Sequence, residues 1–309
     1  MKIEYGSFIS SVDSIIISTL TVRPDGEPKA VVQLAHGMAE HKDRYLPFMK
    51  YLAEKGYLCG INDHRGHGKS IFAEPGYFGE NGGRALIEDM HKFTGILKKG
   101  HEDLPFFLFG HSMGSLAARA YTKYFDYELD GLVVCGCPSN NPAAKMGLQM
   151  TRAMSKAKGG HSYSKLISKM INGGSKKENE SQNDGPAPIL SANLENQQAF
   201  ADDPLCGFHF TINGYESLMW LMCECYSKKG WAMKNRGLPI LFVSGEDDAY
   251  GISPEKVKEA AEHLASHGYK LPTVKLWEGM RHEILNETDK ESVFDYIGGT
   301  LDVWTEKAK

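Results

Sequence analysis

The stretch "FFLFGHSMGSLAARA" (Phe106–Ala120) joins an apolar run to an alanine-rich helical pattern through a Gly-x-Ser-x-Gly motif. A serine between two glycines at the end of a buried strand has two interpretations. It is a tight turn that happens to contain serine, or it is a nucleophile held on a strained turn between a strand and a helix. The motif alone is a weak signal, but its flanks suit the second interpretation. Such a turn exposes Ser112 Oγ at a helix N-terminus, where the helix dipole stabilises developing negative charge.

The composition is that of an ordinary globular protein. The 309 residues include 41% hydrophobic and 24% charged residues, and the formal net charge is −4. This length suits one large domain or two small ones. There is no basic excess to indicate nucleic-acid binding, and no polybasic run points to an anionic membrane surface. The chain has no signal-peptide pattern and no apolar run of membrane-spanning length, which predicts a cytoplasmic protein without an integral membrane segment. A chain that had lost its signal peptide would show the same absence of a signal-peptide pattern.

The six cysteines indicate packed thiols rather than a metal site. Cys59, Cys135 and Cys137 lie in or beside apolar runs, where a reduced cysteine behaves as a small hydrophobic residue. The pairs Cys135-Gly-Cys137 and Cys223-Glu-Cys225 have C-x-C spacing, unlike the C-x-x-C of zinc and redox sites. We predict buried thiols for all six.

Apolar runs alternate with helical patterns along most of the chain, which predicts an α/β fold. Runs that are apolar throughout, separated by amphipathic helices, favour a mostly parallel central sheet flanked by helices on both faces. Two β-prone pieces in Ser7–Gly26 predict an N-terminal hairpin. The further strand-like runs are Ala30–Gly37, Tyr57–Asp63, Leu104–Gly110, Asp130–Cys137, Leu238–Glu246 and Thr273–Gly279.

A long helix-like segment interrupts this alternation. We predict that residues 138–237 form an inserted helical cap, and that residues 1–137 and 238–309 form the core domain. An insertion of this size between two strands is expected over the carboxyl edge of the sheet, where open α/β sheets bind ligands.

The predicted cap is rich in methionine. Met146, Met150 and Met154 fall on one helical face. Any one of them would also suit ordinary core packing, but flexible thioethers together suit the lining of a site for an apolar ligand. The polar stretch at residues 173–188 reads as a loop.

A serine nucleophile needs a base, and the base needs an acid that orients it. After a strand–Ser–helix elbow the acid comes next in the chain and the histidine last. His282 follows the run Thr273–Gly279 at the edge where the site is expected. His263 and His267 lie one turn apart on a predicted helix, where we expect them to be exposed to solvent.

The acid is expected directly after the strand that ends at Gly245. Glu246, Asp247 and Asp248 all qualify by position. The spacing favours Asp248, and Asp247 remains an alternative.

A tetrahedral intermediate also needs donors aimed at its oxygen. One is the backbone N–H of Met113, the residue after the serine, and the other is expected in the loop after the strand-like run Ala30–Gly37. Met38 follows the His-Gly pair of that loop. We expect His36 to hold the loop by hydrogen bonds rather than to take part in the chemistry.

Five blocks of the sequence resemble the monoacylglycerol lipase and lysophospholipase branch of the α/β-hydrolases, which is related to the serine aminopeptidase-type hydrolases. They occur in the family's order and span nearly the whole chain outside the predicted cap. The blocks are "HGMAEHKDRY" (His36–Tyr45), "DHRGHGKS" (Asp63–Ser70), "GHSMG" (Gly110–Gly114), "SGEDDAYG" (Ser244–Gly251) and "RHEILNE" (Arg281–Glu287).

The resemblance implies an α/β-hydrolase fold with Ser112 as nucleophile, Asp248 as acid and His282 as base. It places the oxyanion donors at the backbone N–H groups of Met38 and Met113. It also implies hydrolysis of small, lipid-like carboxylic esters, without an organic cofactor or a metal. The oligomeric state is not predicted.

Two features depart from the family pattern or lie outside it. The position after the acid, usually proline or a small residue, is Ala249, and Tyr250 follows it, so the choice between Asp247 and Asp248 stays open. The predicted cap does not match strongly.

The block Asp63–Ser70 lacks the spacing of a phosphate-binding loop and is expected to shape a loop near the site.

Two other functions use the same residues differently. An aminopeptidase or amidase would need acidic groups in the cap to hold a substrate amine, and the sequence does not place the available ones. A non-catalytic ligand-binding protein is disfavoured, because every member of the catalytic set is present. The available acidic residues are Asp202, Asp203, Glu216 and Glu224.

Overall fold

A computed structural model of the chain describes residues 1–172, 185–248, 250 and 253–308. Most of the loop predicted at 173–188 lies outside these residues. An eight-stranded sheet in the order β1-β2-β4-β3-β5-β6-β7-β8 runs through the described part. Its strands are β1 (Lys2–Ile9), β2 (Ile16–Arg23), β3 (Ala30–Ala35), β4 (Tyr57–Asn62), β5 (Phe106–His111), β6 (Gly131–Cys135), β7 (Ile240–Gly245) and β8 (Thr273–Trp277).

The sheet is mostly parallel, as the apolar runs predict. Strands β1 and β2 form an N-terminal hairpin as predicted, but β1 begins at Lys2, before the predicted range Ser7–Gly26. Strand β2 also pairs antiparallel with β4. All the other neighbouring strands are parallel. The carboxyl ends of β3, β5 and β7 therefore meet at one edge, and the loops that follow these strands share it.

Helices cover both faces of the sheet, which confirms the predicted α/β class. Side chains alternate along β5, so that Phe107 and Phe109 pack with α1 and α9, whereas Phe106 and Leu108 pack with α2, α3 and α8. The core helices are α1 (Leu46–Glu54), α2 (Gly82–Lys98), α3 (Met113–Phe125), α8 (Pro254–Ser266) and α9 (Lys290–Ala308).

The segment between β6 and β7 is helical. Helix α7 packs against α4, α3 and α2, so it joins the inserted helices to the core. Over the described ranges, no helix combines the length and apolarity needed to cross a bilayer. The inserted helices are α4 (Ala144–Lys158), α5 (Lys165–Asn172), α6 (Leu194–Asp202) and α7 (Ile212–Cys225).

All six cysteines are free thiols. Four are buried, but Cys206 and Cys223 are only partly covered, so the prediction of buried thiols is wrong for these two. Both lie on or beside the inserted helices, away from the strands on which the prediction rested.

Candidate active site

Ser112 sits on a strained turn between β5 and α3. Its φ of 51° and ψ of −119° lie in a region that residues other than glycine rarely adopt. Its N–H donates to Cys135 O at 2.9 Å, which ties the turn to β6. The two glycines of the motif permit this fold: a Cβ at Gly114 would lie 2.1 Å from Ala35 O, and one at Gly110 would lie 2.4 Å from Gly114 O. The chain can therefore make this turn only with glycine on each side of Ser112.

The loop after β7 places one carboxylate against the histidine after β8. His282 Nδ1–H donates to Asp248 Oδ2 at 2.7 Å, and both side chains are buried. Asp248 Oδ1 also accepts the N–H of Tyr250 at 3.0 Å. The side chains of Glu246 and Asp247 are exposed. Of the three acidic residues considered from the sequence, the structure brings Asp248 to His282, and Ala249 lies outside the described residues.

The surroundings of His282 favour its charged form. Burial acts to lower its pKa, but the charge and hydrogen bond of Asp248 oppose this, aided by Glu283 and Glu40. The net result is a pKa raised above the ordinary value of 6.5. A Cβ at Gly136 would lie 3.1 Å from His282 Cε1, so this glycine leaves room for the ring.

Ser112 and His282 open onto the same cavity. Among the described residues no hydrogen bond joins Ser112 Oγ to His282 Nε2. Serine–histidine contacts are often long without substrate and tighten in the reacting complex. The structure thus brings the predicted nucleophile and the predicted base to one cavity, and His282 Nε2 has no hydrogen-bond partner among the described residues.

The two sequence-predicted oxyanion donors border the same cavity. Neither Met38 N–H nor Met113 N–H has a hydrogen-bond acceptor within the described ranges, and both residues line the space beside Ser112. His36 holds the loop, as predicted: its Nδ1–H donates to Gly37 O at 2.8 Å, and its Nε2 accepts the N–H of His64 at 2.9 Å. Two backbone N–H groups without a described acceptor therefore belong to residues of this cavity wall, where an oxyanion could be held.

A buried charge network, which the sequence reasoning missed, supports this loop. Glu40 Oε1 accepts the N–H of Gly37 at 2.6 Å and the hydroxyl of Tyr45 at 2.8 Å. Arg44 donates to Glu40 Oε2 at 2.8 Å and to Glu283 Oε2 at 2.6 Å. One guanidinium thus fastens the Met38 loop to the residue that follows His282.

His111, inside the serine motif, extends this network. Its Nε2–H donates to His282 O at 3.2 Å, and its Nδ1 lies 3.3 Å from Glu40 Oε1. Burial would raise the pKa of the Glu40 and Glu283 carboxyls. Hydrogen bonding from His111 and the charge of Arg44 instead hold the pKa of Glu40 well below its ordinary value, and Arg44 lowers the pKa of Glu283. Both stay ionised. Glu40 and Glu283 lie in two of the sequence blocks that resemble the family, but only the fold shows that Arg44 joins them.

The cavity above Ser112 has a volume of about 460 Å³ and a largely apolar wall. Its described lining holds no acidic side chain. Of the methionine face predicted in the cap, Met146 and Met150 line the cavity, whereas Met154 packs on the core. The methionines of the wall are Met38, Met113, Met146, Met150, Met170, Met219 and Met222.

The four acidic cap residues considered from the sequence lie elsewhere. Each is engaged with another side chain, so none is available to hold a substrate amine in this cavity. The pairs are Asp202 with Gln198, Asp203 with His41, Glu216 with Arg152, and Glu224 with Lys123.

One group in the described part of the chain has the side chains of a metal site. Ligand atoms of His41, Asp203 and Cys206 lie within 4.8 Å of one another. However, the buried guanidinium of Arg44 acts electrostatically on Cys206, and this positive charge disfavours a cation. The hydrogen bond of 2.8 Å between His41 Nε2 and Asp203 Oδ2 instead links the Met38 loop to the inserted segment.

His263 and His267 lie away from this cavity, but the prediction that they are solvent-exposed is wrong. Both are half-buried, and the His267 ring stacks on Trp231 with 4.5 Å between ring centres. Burial, with the neighbouring His267, lowers the pKa of His263 to about 4. The sequence pattern around His267 does not show this contact, because Trp231 comes from the segment that follows the inserted helices.

Comparison with known proteins assigns the family. The sequence profile of the family described as "Serine aminopeptidase, S33" matches residues 26–289. The chain belongs to this family. Among relatives of this S33 protein, the monoacylglycerol lipase of Mycolicibacterium smegmatis is 26% identical over 284 residues, covering 89% of this chain and 88% of that protein. Phospholipase YtpA of Bacillus subtilis is 24% identical, with 86% and 93% covered.

Solved structures agree with this placement of the S33 protein. A thermostable carboxyl esterase from Bacillus coagulans, determined in complex with glycerol, superimposes with a TM-score of 0.87 over 99% of both chains, at 26% identity. The fold is the α/β-hydrolase fold. The resemblance to the monoacylglycerol lipase branch, based on the five sequence blocks, is confirmed.

Proposed function

We propose that this protein cleaves esters of apolar acyl groups through an acyl-enzyme intermediate on Ser112. The family and relatives make the chain a carboxylic ester hydrolase. One observation carries the finer proposal: the strained Ser112 and the Asp248-bonded His282 line one apolar cavity whose described lining has no acidic side chain.

In the proposed mechanism His282 Nε2 takes the proton of Ser112 as the hydroxyl attacks the ester carbonyl carbon. The N–H groups of Met38 and Met113 hold the oxyanion of the tetrahedral intermediate. His282 then gives the proton to the departing alcohol. A water molecule, activated by the same imidazole, hydrolyses the acyl-enzyme. Asp248 orients the ring and stabilises its charged form.

Two cavities beside Ser112 suit the two halves of an ester. The methionine-lined cavity suits the acyl chain, since its wall is apolar and adaptable. A smaller cavity of about 190 Å³ is also bordered by Ser112 and His282, and includes the polar residues Glu40, His209 and Glu283. It suits a hydroxylated alcohol such as glycerol. A monoacylglycerol or a lysophospholipid fits this division, and we propose these as the substrate class.

The hypothesis that the protein is an aminopeptidase is less well supported. The carboxylates of Glu40 and Glu283 border the smaller cavity, but both are paired with Arg44. A substrate amine would have to compete with that guanidinium. The geometry therefore favours an ester.

A hydrolysis panel tests the proposal. The panel holds p-nitrophenyl esters of increasing acyl length, a monoacylglycerol, a lysophospholipid and an aminoacyl arylamide. Ser112→Ala is the inactive control. We expect ester turnover by the wild type, with monoacylglycerol or lysophospholipid among the best substrates. Turnover of the arylamide alone would contradict the proposal, as would ester turnover that survives in Ser112→Ala.

A further inference from the structure

Tyr250, which follows β7, is held against the candidate active site at two points. Its backbone N–H donates to Asp248 Oδ1 at 3.0 Å, which ties the main chain to the carboxylate that accepts from His282. Its ring packs on the imidazole of His282, with 4.5 Å between ring centres and 48° between ring planes. Aromatic pairs at such distances stabilise one another beyond the area that they bury. The two contacts together hold Tyr250 beside the base.

Tyr250 borders both cavities beside the nucleophile. In the described lining, the residues common to the methionine-lined cavity and the smaller cavity are Met38, Ser112, Tyr250 and His282. The proposed function gives a part in the chemistry to the other three but none to Tyr250. This tyrosine is 44% exposed in spite of its contact with His282. It therefore stands at the junction between the place for the acyl chain and the place for the alcohol.

The phenol of Tyr250 is a hydrogen-bond donor that the protein leaves unused. Within the described ranges its hydroxyl has no hydrogen-bond partner. Desolvation by the surrounding protein raises its pKa, and the charges of Glu283, Asp248 and Glu40 add to this effect. The hydroxyl therefore stays protonated at neutral pH. A tyrosine hydroxyl at a binding cavity usually finds a hydrogen-bond partner, and here a bound ligand can supply it.

The other polar side chains of the smaller cavity are engaged within the protein. Apart from Ser112 and His282, which the proposed mechanism uses, each one in the described lining has a partner. Tyr250 thus offers this cavity a donor that a ligand need not take from another group. The engaged pairs are Glu40 with Arg44, Glu283 with Arg44, His111 with the carbonyl of His282, and His209 with Ser168.

We propose that the Tyr250 hydroxyl donates a hydrogen bond to a hydroxyl group of the substrate's alcohol half, so that Tyr250 selects esters of polyols over esters of plain alcohols. This specificity role rests on the proposed function and deepens it. The acyl half offers no acceptor for this donor, because its carbonyl oxygen is held by the N–H groups of Met38 and Met113 in the proposed mechanism. A glycerol hydroxyl in the smaller cavity is such an acceptor.

Two substrates that differ only in hydroxyl groups test this role. Monooctanoylglycerol and propyl octanoate share the acyl chain and the carbon skeleton of the alcohol, but the propyl ester lacks the free hydroxyls. The value of kcat/KM is measured for both esters with the full-length wild type and with Tyr250→Phe, which removes the phenol oxygen alone. The ratio of the glycerol ester to the propyl ester should fall by about three- to tenfold in Tyr250→Phe, the effect of one neutral hydrogen bond.

Two further variants separate the hydroxyl from the ring. Tyr127→Phe removes a phenol oxygen from a tyrosine that is 50% exposed and lines neither cavity, so the ratio should stay at the wild-type value. Tyr250→Leu removes the ring as well. The ratio should fall as in Tyr250→Phe, and kcat/KM for the propyl ester should also drop, because His282 loses the ring that packs on it.

An unchanged ratio in Tyr250→Phe or Tyr250→Leu would overturn the role of the hydroxyl. An equal loss on both esters in Tyr250→Phe would do the same, since it would place the hydroxyl at the ester group itself or in a purely structural contact. So would an equal fall of the ratio in Tyr127→Phe. Failure of the proposed function is seen separately, because the wild type would then hydrolyse neither ester, whereas failure of the Tyr250 role leaves wild-type turnover of the glycerol ester intact.

Discussion

At the scale of single residues, Ser112 holds a backbone conformation that costs on the order of 1–3 kcal/mol for a residue other than glycine. The close packing of β3, β5 and α3 around it sustains that strain. The strained turn leaves Ser112 at the cavity that His282 also lines. Asp248, His282 and Met38 also lie in loops that follow strands, namely β7, β8 and β3.

The adjacent acids offer a matched test of the charge partner of His282. Asp248→Asn should lower kcat/KM by about 10³- to 10⁴-fold, because the amide neither stabilises the imidazolium nor favours the correct tautomer. Asp247→Asn removes an equal charge from an exposed neighbour and should stay within about twofold of the wild type. Steady-state kinetics on one soluble ester decide between them. A large loss in Asp247→Asn with an active Asp248→Asn would contradict the assignment.

The pH profile follows from the raised pKa of His282. The base must be neutral to accept a proton, so kcat/KM should rise with pH through a midpoint above the ordinary value of 6.5. Asp248→Asn removes the leading stabilisation of the charged ring, so its residual activity should show a lower midpoint. A wild-type midpoint below 6.5 would mean that burial outweighs the carboxylates.

The placement of Ser112 and His282 at one cavity was predictable from the sequence, because the motif, its flanks and the chain order constrain where both residues lie. Asp248 was not separable from Asp247, since the two are adjacent and only the fold shows that one is buried. The link between Arg44 and Glu283 could not be predicted at all. It joins residues 239 positions apart, and the sequence around either residue does not indicate a contact with the other.

At the scale of elements, α3 approaches β3 so closely that a side chain cannot fit between them. Gly114 lies at this contact, where a Cβ would meet Ala35 O at 2.1 Å. Gly95 of α2 is the contrast, because a Cβ there would meet nothing within 4 Å. The same substitution should therefore act in opposite directions at the two sites.

Gly114→Ala should lower the free energy of unfolding by about 3 kcal/mol or more, because the clash is with backbone that cannot yield. Gly95→Ala should raise it by roughly 0.5–1 kcal/mol, since alanine is the better helix former. Thermal and urea unfolding measure both changes. Equal stability of the two variants would refute the close contact of α3 with β3.

The central strands and the core helices were predictable as elements, because the strands are continuous apolar runs and the helices have a strong apolar period. The full lining of the cavity was not predictable. Leu116, Met170 and Met219 lie far apart in the sequence, and only the fold brings them to one cavity.

At the scale of the whole molecule, the inserted helices and the core share the cavity that would select the acyl group. Met150 lines its wall from α4, and Ser112 lies on its core side. The sequence predicted an insertion and its methionine face, but the volume and the absence of acidic lining in the described part depend on how α4, α5 and α7 pack together. We therefore expect substrate choice to respond to single changes in these helices.

Filling the cavity should shorten the preferred acyl chain. Met150→Trp should lower kcat/KM for long-chain esters by about tenfold or more while leaving short-chain esters within about twofold, since each excluded methylene forfeits roughly 0.8 kcal/mol, about fourfold in rate. Met150→Leu, of similar volume, is the control and should keep the wild-type preference. Equal loss on every chain length would show that the acyl chain does not occupy this cavity.

Covalent labelling tests the central claim most directly. The purified protein is treated with a fluorophosphonate, and the intact mass and the modified peptide are determined by mass spectrometry. We predict one adduct per chain, on Ser112 within Phe106–Ala120, with loss of ester turnover in proportion to labelling and no adduct in Ser112→Ala. An adduct on another residue, or full ester turnover by Ser112→Ala, would contradict the account.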